Sequence, residues 1–345
     1  MGGTHEREGA RSVPGLPCNP GFLGNLPGGD GMKRVDANEV DFEDYLKFLG
    51  EQESDSVVSM QVGFEGAMDR ILHGPNSFGD VLPWSKTHNL FRMRPGEVTL
   101  WAGVNKHGKT EVLSHAMIPL AMESKVLVIS LEMTLPALCE RYLKQSTARG
   151  MPDRDHAERA MAAVADSYLV YDEDRSIDST RILGVAAYAG SELDCKHIVI
   201  DSLVKCKLSL EQGKSNNEQR NFVDKLALIA KQTGTHIHLV HHMRKGESED
   251  KPGNKMDVKG AGELTDLVDN IALVWRNKPK EKEIWEANLN GQPYTTCEHF
   301  EEPDTLVSIA GQRAGGDEGS FGLWFHKESR RFMADAHDFP DPYVR

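Results

Sequence analysis

The chain has 345 residues, 39% apolar and 27% charged, which is ordinary globular usage with enough apolar surface for one large domain or two modest ones. Its net charge of -13 excludes a protein that coats nucleic acid by bulk attraction, so any polyanion site must be local. Five cysteines (Cys18, Cys139, Cys195, Cys206, Cys297), scattered and without a C-x-x-C pair, suggest neither a disulfide framework nor a zinc site and fit a reducing cytoplasm. No apolar run approaches the ~20 residues of a membrane span, and the first residues carry no apolar signal core, so neither membrane insertion nor a lipid anchor is expected.

Residues 1–35 are dense in Pro and Gly and poor in apolar periodicity, which reads as an extended arm. From 36 to 82, apolar residues recur at helical spacing (Phe42, Tyr45, Leu46, Leu49, then Phe64, Met68, Ile71, Leu72), predicting one or two short helices that need a surface to dock on. Between 83 and 335 the runs VTLWA, VLVIS, YLVYD, HIVID, HIHLV and NIALVW alternate with helical spacing. That alternation predicts an α/β fold, a mostly parallel sheet with helices on both faces. The segment from Asp304 to Phe332 reads as a hairpin at the sheet edge with a Gly-rich turn, and residues 336–345 as a tail.

GVNKHGKT, residues 103–110, matches G-x-x-x-x-G-K-[ST] between a predicted strand and a predicted helix. Gly103 and Gly108 permit the turn, and the amides of Val104, Asn105, Lys106 and His107 face the phosphates. Lys109 reaches the β and γ oxygens, and Thr110 can ligate Mg²⁺. The cofactors expected are therefore ATP, or another NTP or dNTP, with Mg²⁺. Asp201 ends the strand HIVID, where it can hold the metal or simply serve a turn. Glu132 ends the buried run VLVISLEM, as a general base beside the phosphate loop or as a first-turn glutamate. His236, His238 and His242 share one strand face, but without a carboxylate or Cys in the run they make an incomplete metal set.

The order of LPWSKTHNLFRMRPGEVTLWAG, the phosphate loop, SLEM, VIDS, VHHMRKG, VKGAGELTDLVDNIALVWRNK and IAGQRAGGDEGSFGLWFHKESRRF is similar to that of hexameric DnaB-type replicative helicases. It resembles more closely the helicase half of phage primase-helicases and the mitochondrial Twinkle helicase, over about 83–335. The resemblance implies a RecA-like P-loop domain behind a short helical linker. It also implies a homo-hexameric ring with nucleotide at each interface and ATP-driven movement along single-stranded DNA in the host cytoplasm.

Carried over residue by residue, Glu132 matches the catalytic base, His242 the γ-phosphate sensor and Arg313 the arginine finger acting on a neighbour's nucleotide. Arg244, Lys245, Lys251, Lys255 and Lys259, in the polar segment after HIHLVHH, match DNA-backbone contacts, as does the polar segment 205–220 after VIDS. GGDGMKRVDANEV resembles the end of a primase module, so priming is expected from a separate protein. The sequence departs from the family at Gly311, where many relatives carry Lys, and at Lys106 and His107 in the phosphate loop. A recombinase filament ATPase and a nucleotide-gated replication switch are the alternative readings.

Overall fold

The run VTLWAG forms β1 (Val98–Gly103), buried along its whole length. This is the signature of a central parallel strand covered on both faces. The computed structural model describes residues 59–74, 78–172, 178–206, 212–243, 249–258, 264–315 and 317–344; for Asp69 and 212–216 only the backbone is described. The arm at 1–35 and the helix expected around Phe42–Leu49 lie outside the described residues.

Five strands run parallel with β1: β2 (Lys125–Ser130), β3 (Tyr168–Tyr171), β4 (Cys195–Asp201), β5 (His236–His242) and β6 (Asn270–Arg276). The expected hairpin is present as β7 (Thr305–Gln312) and β8 (Gly319–His326), antiparallel to β6 and to each other. The sheet does not end there. Arg331–Met333 pairs with β8 as β9, giving the order β3-β2-β4-β5-β1-β6-β7-β8-β9.

The strand leading to Glu132 is not beside β1, since β4 and β5 lie between. Glu132 reaches the site because the chain after β2 folds back across β4, with Leu131 N donating to Asp201 O at 2.7 Å.

Short helices near the sheet begin with α1 (Phe64–His73), whose Phe64, Ile71 and Leu72 are exposed. The longer ones are α2 (Lys109–Glu123), α3 (Leu135–Thr147), α4 (Arg154–Ala163), α5 (Ser179–Ser191) and α6 (Gln212–Thr233). Helix α2 buries Val112, Leu113, Ala116, Met117 and Leu120, and Pro119 sits inside it without ending it. Helix α6 starts earlier than the polar composition implied, taking up much of the segment read as a loop. Its first buried residue among those described is Phe222, and residues 217–221 before it are exposed or half-buried. Helix α7 (Lys278–Leu289), between β6 and β7, was not anticipated, although Asn277 accepts from Lys280 N as its cap and Pro279 stands in its first turn.

The core joins Leu113, Met117 and Val126 to Trp101, Val199, Val240 and Ile309. The ends of the domain are tied down as well. Tyr343 packs on the body of the domain: its N donates to Ser146 O at 2.8 Å, and the Arg331 guanidinium lies 4.3 Å from its ring centroid. At the other end, Asp80 pairs with Met93 and accepts from His197 at 3.0 Å. The folded domain therefore begins before residue 83 and takes in the tail.

At the N-terminal ends of the strands lies a buried polar relay. Trp101 Nε1 donates to His238 Nδ1 at 3.2 Å, and an indole can only donate. His238 is therefore protonated at Nε2 and donates to His197 Nδ1 at 3.2 Å, and His197 Nε2 donates to Asp80. His236 joins Arg94 O at 2.7 Å and the Thr99 hydroxyl at 2.8 Å. The ring nitrogens of His236 and His238 are thus occupied by hydrogen bonds rather than arranged as metal ligands, and burial holds both far below the usual histidine range.

Candidate active site

The C-terminal ends of β1, β2, β4, β5 and β6 share one edge of the sheet, and the predicted residues gather there. The phosphate loop leaves β1 at Gly103, where an added Cβ would stand 2.4 Å from Val274 O, so only glycine lets β1 and β6 lie this close. It enters α2 through Gly108 at φ +85, and Lys106 also adopts a positive φ of 66. The amides of residues 104–108 therefore lead into a helix N-terminus, an arrangement suited to a polyanion.

Lys109 is 5% exposed and folds back on the loop, donating to Gly103 O and Val104 O, both at 3.0 Å. Burial pushes its pKa down to about 8, against the pull of Asp201 and Glu132. A lysine has only donors, so the 3.4 Å contact from its Nζ makes His242 Nδ1 the acceptor and leaves the ring proton on Nε2. That nitrogen faces Glu132 Oε1 at 3.6 Å.

Glu132 accepts from the Ser202 hydroxyl at 2.6 Å. The His242 imidazole and this hydroxyl hold its carboxyl down to about 2, so Glu132 stays ionised. Asp201 behaves oppositely. It is buried and accepts from Thr110 Oγ1 at 2.6 Å, yet burial, with Glu132 nearby, raises its pKa. A buried carboxyl beside a hydroxyl and a second carboxylate is a donor set that fits a hard divalent cation, whose charge would reverse this shift.

The helix that carries Lys109 and Thr110 is braced from its next residue. Glu111 accepts two bonds from Arg330, both at 2.8 Å, and lies 3.3 Å from the buried Arg141. Neither Ser202 nor this ion-pair group was singled out in the sequence. Ser202 follows Asp201 directly in VIDS, so a signal existed; Arg330 is more than two hundred residues from Glu111 and gave none.

Arg313 is not in this cluster. Its N donates to Asp269 O at 2.9 Å, its guanidinium pairs with Asp269 at 3.6 Å and donates to Asp266 O, and its side chain is half exposed. Asp269 precedes β6, so Arg313 sits at the opposite end of the strands from Lys109. The departure at Gly311 falls beside a bulge in the β6–β7 pairing, where an added Cβ would meet only Ile271, at 3.5 Å. Of the DNA-contact candidates, Arg244, Lys245 and Lys259 lie outside the described residues. Lys251 and Lys255 are exposed, the latter in a turn capped by Asn254 and Asp257.

The AAA domain family matches residues 85–248. A DNA helicase/primase of Enterobacteria phage T3 is 26% identical over 118 residues, 33% of this chain and 21% of the relative, so the match spans about a fifth of that protein. Among solved structures, one described as an ATPase domain aligns with a TM-score of 0.64 at 15% identity, covering 81% of this chain and 99% of the other. A DnaB-like replicative helicase, described with its interactions with primase, aligns at 0.60 and 16% identity over 86% and 72%. The fold is thus that of RecA-like helicase ATPase domains.

Proposed function

We propose that this chain, which is related to DnaB-type helicases and phage primase-helicases, is the ATP-driven motor of a hexameric replicative helicase that moves on single-stranded DNA. One observation carries the reading. Lys109, Thr110, Glu132, Asp201 and His242 converge at the C-terminal ends of the strands, while Arg313 is held at the N-terminal end of β6. Seven residues of strand separate those ends, about 20 Å at ~3.3 Å per residue, beyond the reach of one side chain. Arg313 therefore serves the nucleotide of the neighbouring copy, and the exposed apolar face of α1 is a surface for that copy.

Within one chain the roles follow from the contacts. The phosphate-loop amides and Lys109 bind the triphosphate, with Lys109 exchanging its loop carbonyls for phosphate oxygens. Glu132, ionised and aimed by Ser202, takes the proton of the attacking water. His242, between Lys109 and Glu132, senses whether the γ-phosphate is present. Thr110 and Asp201 would hold Mg²⁺, which neutralises phosphate charge when bound. Arg313 of the neighbour stabilises charge on the transferring group. The segment from Arg244 to Lys259 contacts the DNA backbone, and a separate primase supplies primers.

The test mixes Glu132→Gln with Arg313→Ala protein under conditions where the two co-assemble. Mixed rings contain interfaces with an intact acid and an intact arginine, so hydrolysis should return in the mixture. A mixture as inactive as its components would refute the shared site. Hydrolysis indifferent to single-stranded DNA would instead favour the nucleotide switch, and helical filaments in electron micrographs the recombinase.

A further inference from the structure

The phosphate loop carries a buried histidine that faces a carboxylate. His107 is 1% exposed, and its Nδ1 accepts from Arg276 N at 3.3 Å, which places the ring hydrogen on Nε2. That nitrogen has no hydrogen-bond partner among the described residues. The group facing it is the Glu249 carboxylate, with Oε2 at 3.6 Å, short of a hydrogen bond by about half an ångström. Glu249 is itself anchored, since Trp275 Nε1 donates to its backbone carbonyl at 2.9 Å. The far end of the same segment reaches the phosphate loop only through Met243. Val258 is buried and bridges to Met243, whose N donates to Gly103 O at 3.1 Å. The described stretch 249–258, which lies within the candidate DNA-contact region, thus faces the phosphate loop at Glu249 and is tied to it through Met243 at Val258.

We propose that Glu249 is a positioning residue that couples the phosphate loop to segment 249–258 through His107, so that filling the loop with phosphate tightens the segment. His107 is flanked by Lys106 and Gly108, both at positive φ, so a small shift of the loop amides toward a phosphate carries the ring with them. A displacement of about half an ångström toward Glu249 then makes the Nε2–H to carboxylate bond, and in the buried setting of the ring that bond is strong. The coupling rests on the nucleotide-binding part of the function proposed above. Its value to a motor lies in linking the nucleotide state to the DNA contacts near Lys251 and Lys255.

The test is amide hydrogen exchange in the full-length protein at 249–258, with and without a non-hydrolysable ATP analogue and without DNA. Wild-type exchange there should slow by about fivefold or more on analogue binding, the lower range of such couplings. Glu249→Ala should abolish the slowing, with analogue affinity falling by no more than about the same factor because the coupling is reciprocal, and Asp250→Ala, which removes a neighbouring exposed acid, should keep it. A wild-type segment indifferent to the analogue, a Glu249→Ala protein that responds like wild type, or an equal loss in Asp250→Ala would each overturn the proposal. The motor reading fails on a different measurement, the absence of DNA-stimulated hydrolysis.

Discussion

Raising the pH should weaken nucleotide binding in a manner set by one buried amine. Lys109 must be charged to meet the β and γ oxygens, and burial has brought its pKa to about 8 in the nucleotide-free protein. Binding is therefore at full strength below pH 8. Above it, the apparent Kd rises by the factor one plus ten to the power of pH minus pKa. At pH 9 this is about elevenfold, or about 1.4 kcal/mol, whereas a lysine at the ordinary value near 10.4 predicts almost no change. Equilibrium titration with a fluorescent ATP analogue across this range, at constant ionic strength and Mg²⁺, measures it. Lys109→Arg, whose guanidinium does not titrate, gives the flat control. A wild-type Kd constant within about twofold between pH 7.5 and pH 9 would refute the argument that desolvation governs this site. Stability runs the other way. The unfolded chain binds this proton up to about 10.5 and the folded chain only to about 8, so the nucleotide-free protein gains stability as pH rises through that window.

Replacing Glu132 with Gln keeps an acceptor for the Ser202 hydroxyl but removes the base, so single-turnover hydrolysis should fall by about 10²–10⁴ while nucleotide affinity holds. Weakened binding with an unchanged rate would reverse the assigned role. Gly311→Lys should fold normally, with Tm within about 2 °C of wild type in a thermal melt, because the new Cβ meets only the movable end of Ile271. A larger drop would mean that the bulge itself needs glycine. His238→Leu strands the Trp101 indole and one nitrogen of His197, at about 1–3 kcal/mol each, so denaturant titration should lose about 2–6 kcal/mol. In wild type, His236 and His238 have depressed folded-state pKa values, so stability is lost as pH falls below about 6.5. The His238→Leu protein should show a shallower loss over that window.

What was legible in the sequence were features with a local cause. The β-branched runs became strands because a buried parallel strand needs little but apolar, stiff side chains, and the phosphate loop follows from the backbone that a polyanion requires. Asp201 and Glu132 could be placed at strand ends from their position after apolar runs. What was not legible depends on neighbours that sequence order does not reveal. Strand order put β4 and β5 between β1 and the strand leading to Glu132, and only the fold-back at Leu131 brings the acid to the loop. The first turns of α6 looked like a loop because their residues are polar and carry no apolar periodicity before Phe222. The histidines of β5 looked like one set because alternation is blind to what each ring meets: His236 and His238 close a relay at one end of the strand, and His242 meets Lys109 and Glu132 at the other.

Arg313 shows the same limit at a larger scale. Its place in the hairpin motif points to a role in hydrolysis, yet in the folded chain its guanidinium is paired with Asp269 at the wrong end of the sheet for its own phosphate loop. The function proposed above reconciles the two by making the catalytic unit larger than one chain. An exposed arginine in a surface ion pair contributes little to stability, about 0–1 kcal/mol, so folding alone gives no reason for it to be there. In the proposed ring, rate enhancement supplied by a neighbour would give one, and it would make hydrolysis conditional on assembly.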